Sequence, residues 1–229
     1  MIDYEITKNG KNDYSKVFNG NISVNLLQKI INDTKAVSTQ RARAYLLIKL
    51  INRSNVQLNS IDIGGIENHT VGGTKNGENG GEFELLVTDF LKNKHRVSPK
   101  NTVDIRKYIN INGKKKAITL DCKSGAGDIG YYNINGDLKL LKENYIIWTP
   151  IYYKELSLYN TIVLDKNTFI KTIKELGLLR KKKKTNSFTY KMSLQNINSF
   201  RMVDKVMELL NNSMNLLEFC DFYNLTIKV

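Results

Sequence analysis

The chain is 229 residues and 26.2 kDa, long enough for one domain to bury most of its apolar surface without disulfides or metal staples. Hydrophobic residues are 41% and charged residues 25%; this globular balance excludes general disorder and collagen-like repeats, and no apolar run reaches the roughly eighteen residues that a membrane span needs. Lys and Arg number 35 against 22 Asp and Glu, a net charge of +13, which favours a polyanionic partner, nucleic acid before an anionic membrane.

The first twenty residues are polar and carry no periodic signal. They also lack an apolar signal core, so a cytoplasmic location is expected. Cys122 and Cys220 are far apart and have no metal-site spacing, and both are read as reduced thiols. Ser23 to Arg53 reads as helical. Leu26, Leu27, Ile30 and Ile31 recur at helical spacing, then Ala44, Leu47, Ile48 and Ile51 do so again. A break near Val37 to Gln40 divides this stretch into two helices. Arg41 and Arg43 border the second apolar stripe and are candidate phosphate contacts, or solvated stripe-edge residues.

Gly64 to Gly81 holds three Gly-Gly pairs and reads as a mobile loop. It lacks the Gly-Lys-Ser/Thr ending of a nucleotide-phosphate loop. Glu82 to Leu91 is an amphipathic helix with Phe83, Leu86, Val87, Phe90 and Leu91 on one face. Thr102 to Ile109 and Ala117 to Lys123 read as strands, with Asn112-Gly113 as a tight turn between them. A further hairpin is expected around Asn135-Gly136, a buried strand at Tyr145 to Tyr153 bent near Pro150, and a short strand at Thr161 to Leu164. Thr168 to Leu179 reads as a helix, followed by the basic tract Arg180 to Lys184 as a backbone contact or solvated loop, and then by a helix at Arg201 to Leu210.

The chemistry-bearing residues lie in the middle of this order. Period-two geometry puts Asp121 and Lys123 on one face of their strand and Cys122 on the other. Asp104 is on the preceding strand, with sixteen residues between it and Asp121 for the hairpin. Carboxylates on adjacent strands can converge on one hard cation, with oxygen ligands suited to Mg²⁺. A lysine beside them can orient or deprotonate a water, and the metal lowers the pKa of bound water. This is equipment for hydrolysing a phosphodiester. The acid-x-Lys pattern occurs three times, at Asp33, Asp121 and Asp137. Only the Asp121 copy follows a helix with an acid and a strand with an acid. Asp128 and Asp137 read as turn residues, and His69 and His95 have no partner at metal or triad spacing.

The run GEFELLVTDFLKNKHRV, then TVDI, then ITLDCKSG, resembles the PD-(D/E)xK nucleases. These include type II restriction endonucleases, Holliday-junction resolvases and Mrr-like restriction proteins. The Phe83-Glu84 pair before an apolar helix resembles the Mrr-like pattern most closely. The resemblance covers Gly81 to about Tyr153, about a third of the chain. It implies Glu84 as the helix acid that supports metal binding, with Glu82 as the alternative. It implies Asp104 and Asp121 as metal ligands and Lys123 as the catalytic lysine. Pro99 is not adjacent to Asp104, and Asp121 stands where Glu is commoner.

The expected fold is a single α/β domain with a restriction-endonuclease-like core at about 81–164. That core is a central mixed sheet flanked by helices, with a helical N-terminal region at about 21–55 and a basic helical C-terminal region at about 165–229. The expected function is a Mg²⁺-dependent endonuclease on double-stranded DNA, a type II restriction enzyme acting as a homodimer, with no membrane association. Its DNA contacts are expected at Arg41, Arg43, Lys181, Lys182, Lys183 and Lys184. The competing readings are a structure-selective nuclease of resolvase or repair type, a non-catalytic DNA-binding protein, and an RNA-binding or RNA-cleaving protein, which charge alone does not separate from DNA.

Overall fold

A computed structural model of the chain describes residues 4–19, 22–54, 75–92, 105–124, 128–129, 132–134, 137–139, 144–150, 158–176, 179–184, 187–192 and 197–227. The polar start forms a small antiparallel pair, β1 (Glu5–Ile6) and β2 (Asn12–Asp13). It is anchored by Tyr14 and Phe18, both buried. Helix α1 (Val24–Asn32) opens at Ser23, whose hydroxyl oxygen accepts from the Leu26 amide at 3.2 Å. Helix α2 (Ser38–Ser54) follows. The break between them lies at residues 33–37, so Gln40 is inside the second helix rather than in the break.

Helix α3 (Lys75–Phe90) begins seven residues before the expected start at Glu82. Gly77, Gly80 and Gly81, expected in a loop, are therefore in helix; residues 64–74 of that stretch lie outside the described residues. Phe83, Val87 and Leu91 are fully buried, as the four-residue spacing requires.

Strands β3 (Ile105–Ile111) and β4 (Lys114–Ser124) form the expected hairpin. Its turn residues Asn112 and Gly113 both have positive φ, 51° and 77°, the type I′ geometry that matches strand twist. The short strands β5 (Asp128–Ile129), β6 (Tyr132–Ile134) and β7 (Asp137–Lys139) come next. β6 and β7 pair as the expected hairpin. Asp128 and Asp137 thus begin strands and are not turn residues.

β8 (Tyr145–Thr149) runs parallel to β4, and β9 (Ile162–Asp165) runs antiparallel to β8. The result is a four-stranded mixed sheet ordered β3-β4-β8-β9. The outer edge of β9 is covered: the Val163 amide donates to Met214 O at 2.9 Å and the Leu216 amide to Thr161 O at 3.1 Å.

Helix α4 (Lys166–Glu175) is capped by Asp165, which accepts from the Asn167 and Thr168 amides. Strands β10 (Leu179–Lys184) and β11 (Ser187–Met192) form a hairpin, with β11 paired in turn to β5. The basic tract, expected as a loop in a helical region, is therefore a strand. A run of lysines carries no apolar alternation, so the sequence has no signal for it. Helices α5 (Phe200–Asn212) and α6 (Leu216–Phe222) complete the chain, the second with a capping box between Asn215 and Glu218.

Helices cover both faces of the sheet. On one face Ile146, Trp148 and Ile162 join a core with α1, α2, α4 and α5. On the other, Ile105, Ile118, Leu120, Cys122, Ile147 and Val163 join a core with α3 and α6. Among the described residues, no helix is long and apolar enough to cross a membrane.

Candidate active site

The site is built from β4 upward. Its register with β8 sets Asp121 beside Ile146, Cys122 beside Ile147 and Lys123 beside Trp148. Paired residues in a sheet share a face. Asp121 and Lys123 therefore lie on the face of α1, α2, α4 and α5, and Cys122 on the face of α3 and α6, the division that alternation predicts.

Asp121 is 4% exposed. Lys123 Nζ is 2.5 Å from Asp121 Oδ1 and donates to it. Stripping two such charges of water costs several kcal/mol per ion, recovered only by good mutual geometry. Trp148, next to Lys123 in the ladder, buries an indole N–H that has no acceptor among the described residues. The β3–β4 ladder pairs Ile105 with Leu120 at this end. The next residues in sequence are Asp104 before Ile105, which lies outside the described residues, and Asp121 after Leu120.

Glu84 is half-buried on α3, one residue beyond the buried Phe83, and its backbone carbonyl accepts from Thr88 Oγ1 at 2.6 Å. Its helix belongs to the layer facing Cys122, opposite the face of Asp121 and Lys123. The fold thus brings Asp121 and Lys123 into contact and sets the helix acid on the far layer. Among the described residues no three His, Cys, Asp or Glu side chains gather as a metal-holding group. The donor chemistry nonetheless suits Mg²⁺, which takes one or two carboxylates plus waters and substrate phosphate rather than an all-protein cage. His69 and His95 lie outside the described residues.

The candidate phosphate contacts divide. Arg41 Nε donates to Ile31 O at 3.0 Å, and its guanidinium lies 5.2 Å from the Phe200 ring centroid. Arg43 lies 4.7 Å from the Phe18 ring centroid. Both arginines join elements of the helical layer. Lys181 to Lys184 lie along β10.

Two basic residues escape the sequence reading. Arg53 donates to Tyr159 O at 2.6 Å, Leu210 O at 3.0 Å and Asn211 Oδ1 at 3.1 Å, tying α2 to α5. Lys107 donates to Leu91 O at the end of α3, a cation on the negative end of a helix. Burial lowers the Lys107 pKa, while burial pushes the nearby Cys220 thiol up to about 11. The available signal for Lys107 was its place between Ile105 and Ile109, a lysine on the inward register of a strand.

Compared with known proteins, the chain matches no family model, no curated protein and no solved structure.

Proposed function

We propose that the chain is a Mg²⁺-dependent endonuclease on double-stranded DNA, of the type II restriction kind, with a restriction-endonuclease-like core and a homodimeric assembly. The observation that carries this reading is the nearly buried 2.5 Å contact of Asp121 and Lys123 on one face of β4. A strand that only packs has no use for a buried ion pair, because apolar residues there would be as stable or more so.

Asp121 and Asp104 would hold the metal, while Glu84, whose helix packs on the opposite layer, stands outside that set. When bound, Mg²⁺ offsets negative charge at phosphorus and lowers the pKa of its water. Lys123 supplies an ammonium donor that orients the attacking water and stabilises charge on the phosphate oxygens. Asp121 fixes that ammonium at one carboxylate oxygen. Water adds to phosphorus, one P–O ester bond breaks, and the products are a phosphate monoester and a free hydroxyl. Cutting both strands of a symmetric site needs two copies of the centre, hence the dimer.

Long duplex DNA incubated with the protein and Mg²⁺ tests the reading. Discrete fragments are expected, and Asp104→Ala and Asp121→Ala should each abolish them while leaving DNA binding in place. Fragments from either variant at the wild-type rate overturn the assigned site. Intact DNA with a gel shift makes the protein a binder, and a smear removes sequence specificity.

A further inference from the structure

The basic tract has a two-sided organisation that a loop would lack. In the β10–β11 register, Arg180 pairs with Lys191, Lys182 with Thr189 and Lys184 with Ser187. Lys191 pairs in turn with Asp128 of β5. Because strand residues alternate between faces, these seven residues share one face, which holds four cations, one acid and no apolar residue. The other face holds Leu179, Met192, Phe188, Tyr190 and Ile129, together with Lys181 and Lys183.

We propose that the polar face of this ribbon is a duplex-DNA backbone surface formed by Arg180, Lys182, Lys184 and Lys191, and that Lys181 and Lys183 do not belong to it. The inference rests on the nuclease reading for the identity of its partner. Two features favour a bound polyanion. Arg180 lies directly opposite Lys191, and like charges paired across strands destabilise a sheet; Asp128 beside Lys191 offsets one of the four cations of the face, which leaves an excess of three for a polyanion to neutralise. Arg180, Lys182 and Lys184 also span about 13 Å of strand, a length of duplex that carries on the order of eight phosphate charges.

The ribbon is tied to the candidate site by chain length. Asp128 is four residues beyond Ser124 at the end of β4. Four residues reach at most about 14 Å, under half of one duplex turn of roughly 34 Å. A protein cutting at Lys123 would therefore have this face within reach of neighbouring phosphates. The alternative use of a lysine-rich edge strand is to block pairing with another sheet; it requires no selection of one face.

The test is the salt dependence of binding to a labelled duplex without metal, measured by fluorescence anisotropy. Each neutralised phosphate contributes about −0.9 to the slope of log affinity against log salt. The fourfold Gln variant of Arg180, Lys182, Lys184 and Lys191 should flatten that slope by about 3.6. Lys181→Gln with Lys183→Gln should leave it unchanged. Lys182→Gln alone, expected to flatten it by about 0.9, answers the question if the fourfold variant does not fold by circular dichroism.

Equal flattening in both sets, or in neither, overturns the inference while Mg²⁺-dependent cleavage by wild type leaves the nuclease reading intact. The expected slope difference in a protein that never cleaves keeps the surface and removes the nuclease. Wild type that does not bind duplex overturns both. Tighter binding to a single-stranded RNA of equal length, with the slope difference on RNA alone, overturns duplex DNA as the partner.

Discussion

The two faces of the central sheet use the same strand differently. On one face, β4 contributes Leu120 and Cys122 to an apolar core with Phe83, Val87, Phe219 and Cys220. On the other, one residue along, it contributes the Asp121–Lys123 pair beside Ile146 and Trp148. The first face stabilises by removing apolar area from water, about 25 cal/mol per Å². The second spends part of that gain on two charges. Under the proposed endonuclease reading that cost serves chemistry, so substitutions on the apolar face should act on stability alone, and those on the charged face on turnover as well.

The largest effect is expected at the charged pair. Lys123→Met takes the cation from a buried carboxylate and should lower unfolding free energy by about 3–5 kcal/mol, read by denaturant titration. Under the proposed endonuclease reading, cleavage should fall by roughly 10²–10⁴-fold. Adding Asp121→Leu removes the second charge as well and should recover most of the stability, yet no cleavage. Stability that stays low in the double variant would mean the pair is structural, and the contrast between the faces would be lost.

On the apolar face, Phe219→Ala should cost about 3–5 kcal/mol, because the ring is 2% exposed and its removal leaves a cavity. Cleavage per folded molecule should match wild type. A loss of turnover beyond the unfolded fraction would show that α6 acts on the site.

The smallest effect sharpens the same face. Burial raises the Cys220 thiol pKa from 9.0 to about 11. The folded value is above the unfolded one, so this contribution is complete below about pH 9 and is lost as pH rises to about 11. At 1.36 kcal/mol per unit, the loss is on the order of 2–3 kcal/mol. Tyr145, pushed up to about 12 by burial and by its 2.7 Å contact with the Tyr223 hydroxyl, changes in the same direction at higher pH. Lys107, lowered by burial, changes in the opposite direction. The difference between wild type and Cys220→Ala across pH 8–12 isolates the thiol. Parallel curves would refute its burial as the cause.

What the sequence determined by itself is what repeats within a few residues. Four-residue apolar spacing marked Phe83, Val87 and Leu91 as the inner face of α3, and Asn112-Gly113 marked the β3–β4 turn, whose positive φ values few other residue pairs adopt. Strand alternation separated Asp121 and Lys123 from Cys122. Tertiary structure alone decided which layer covers each face, because periodicity says that a face is buried but not against what. It put the helix of Glu84 across the sheet from Asp121, turned Arg41, Arg43 and Arg53 into ties within the helical layer, and drew Arg180 to Lys184 into a paired strand. A lysine tract has no hydrophobic rhythm to announce a strand; its conformation comes from a ladder with residues up to eleven positions away and from β5 beyond it, which local sequence does not encode.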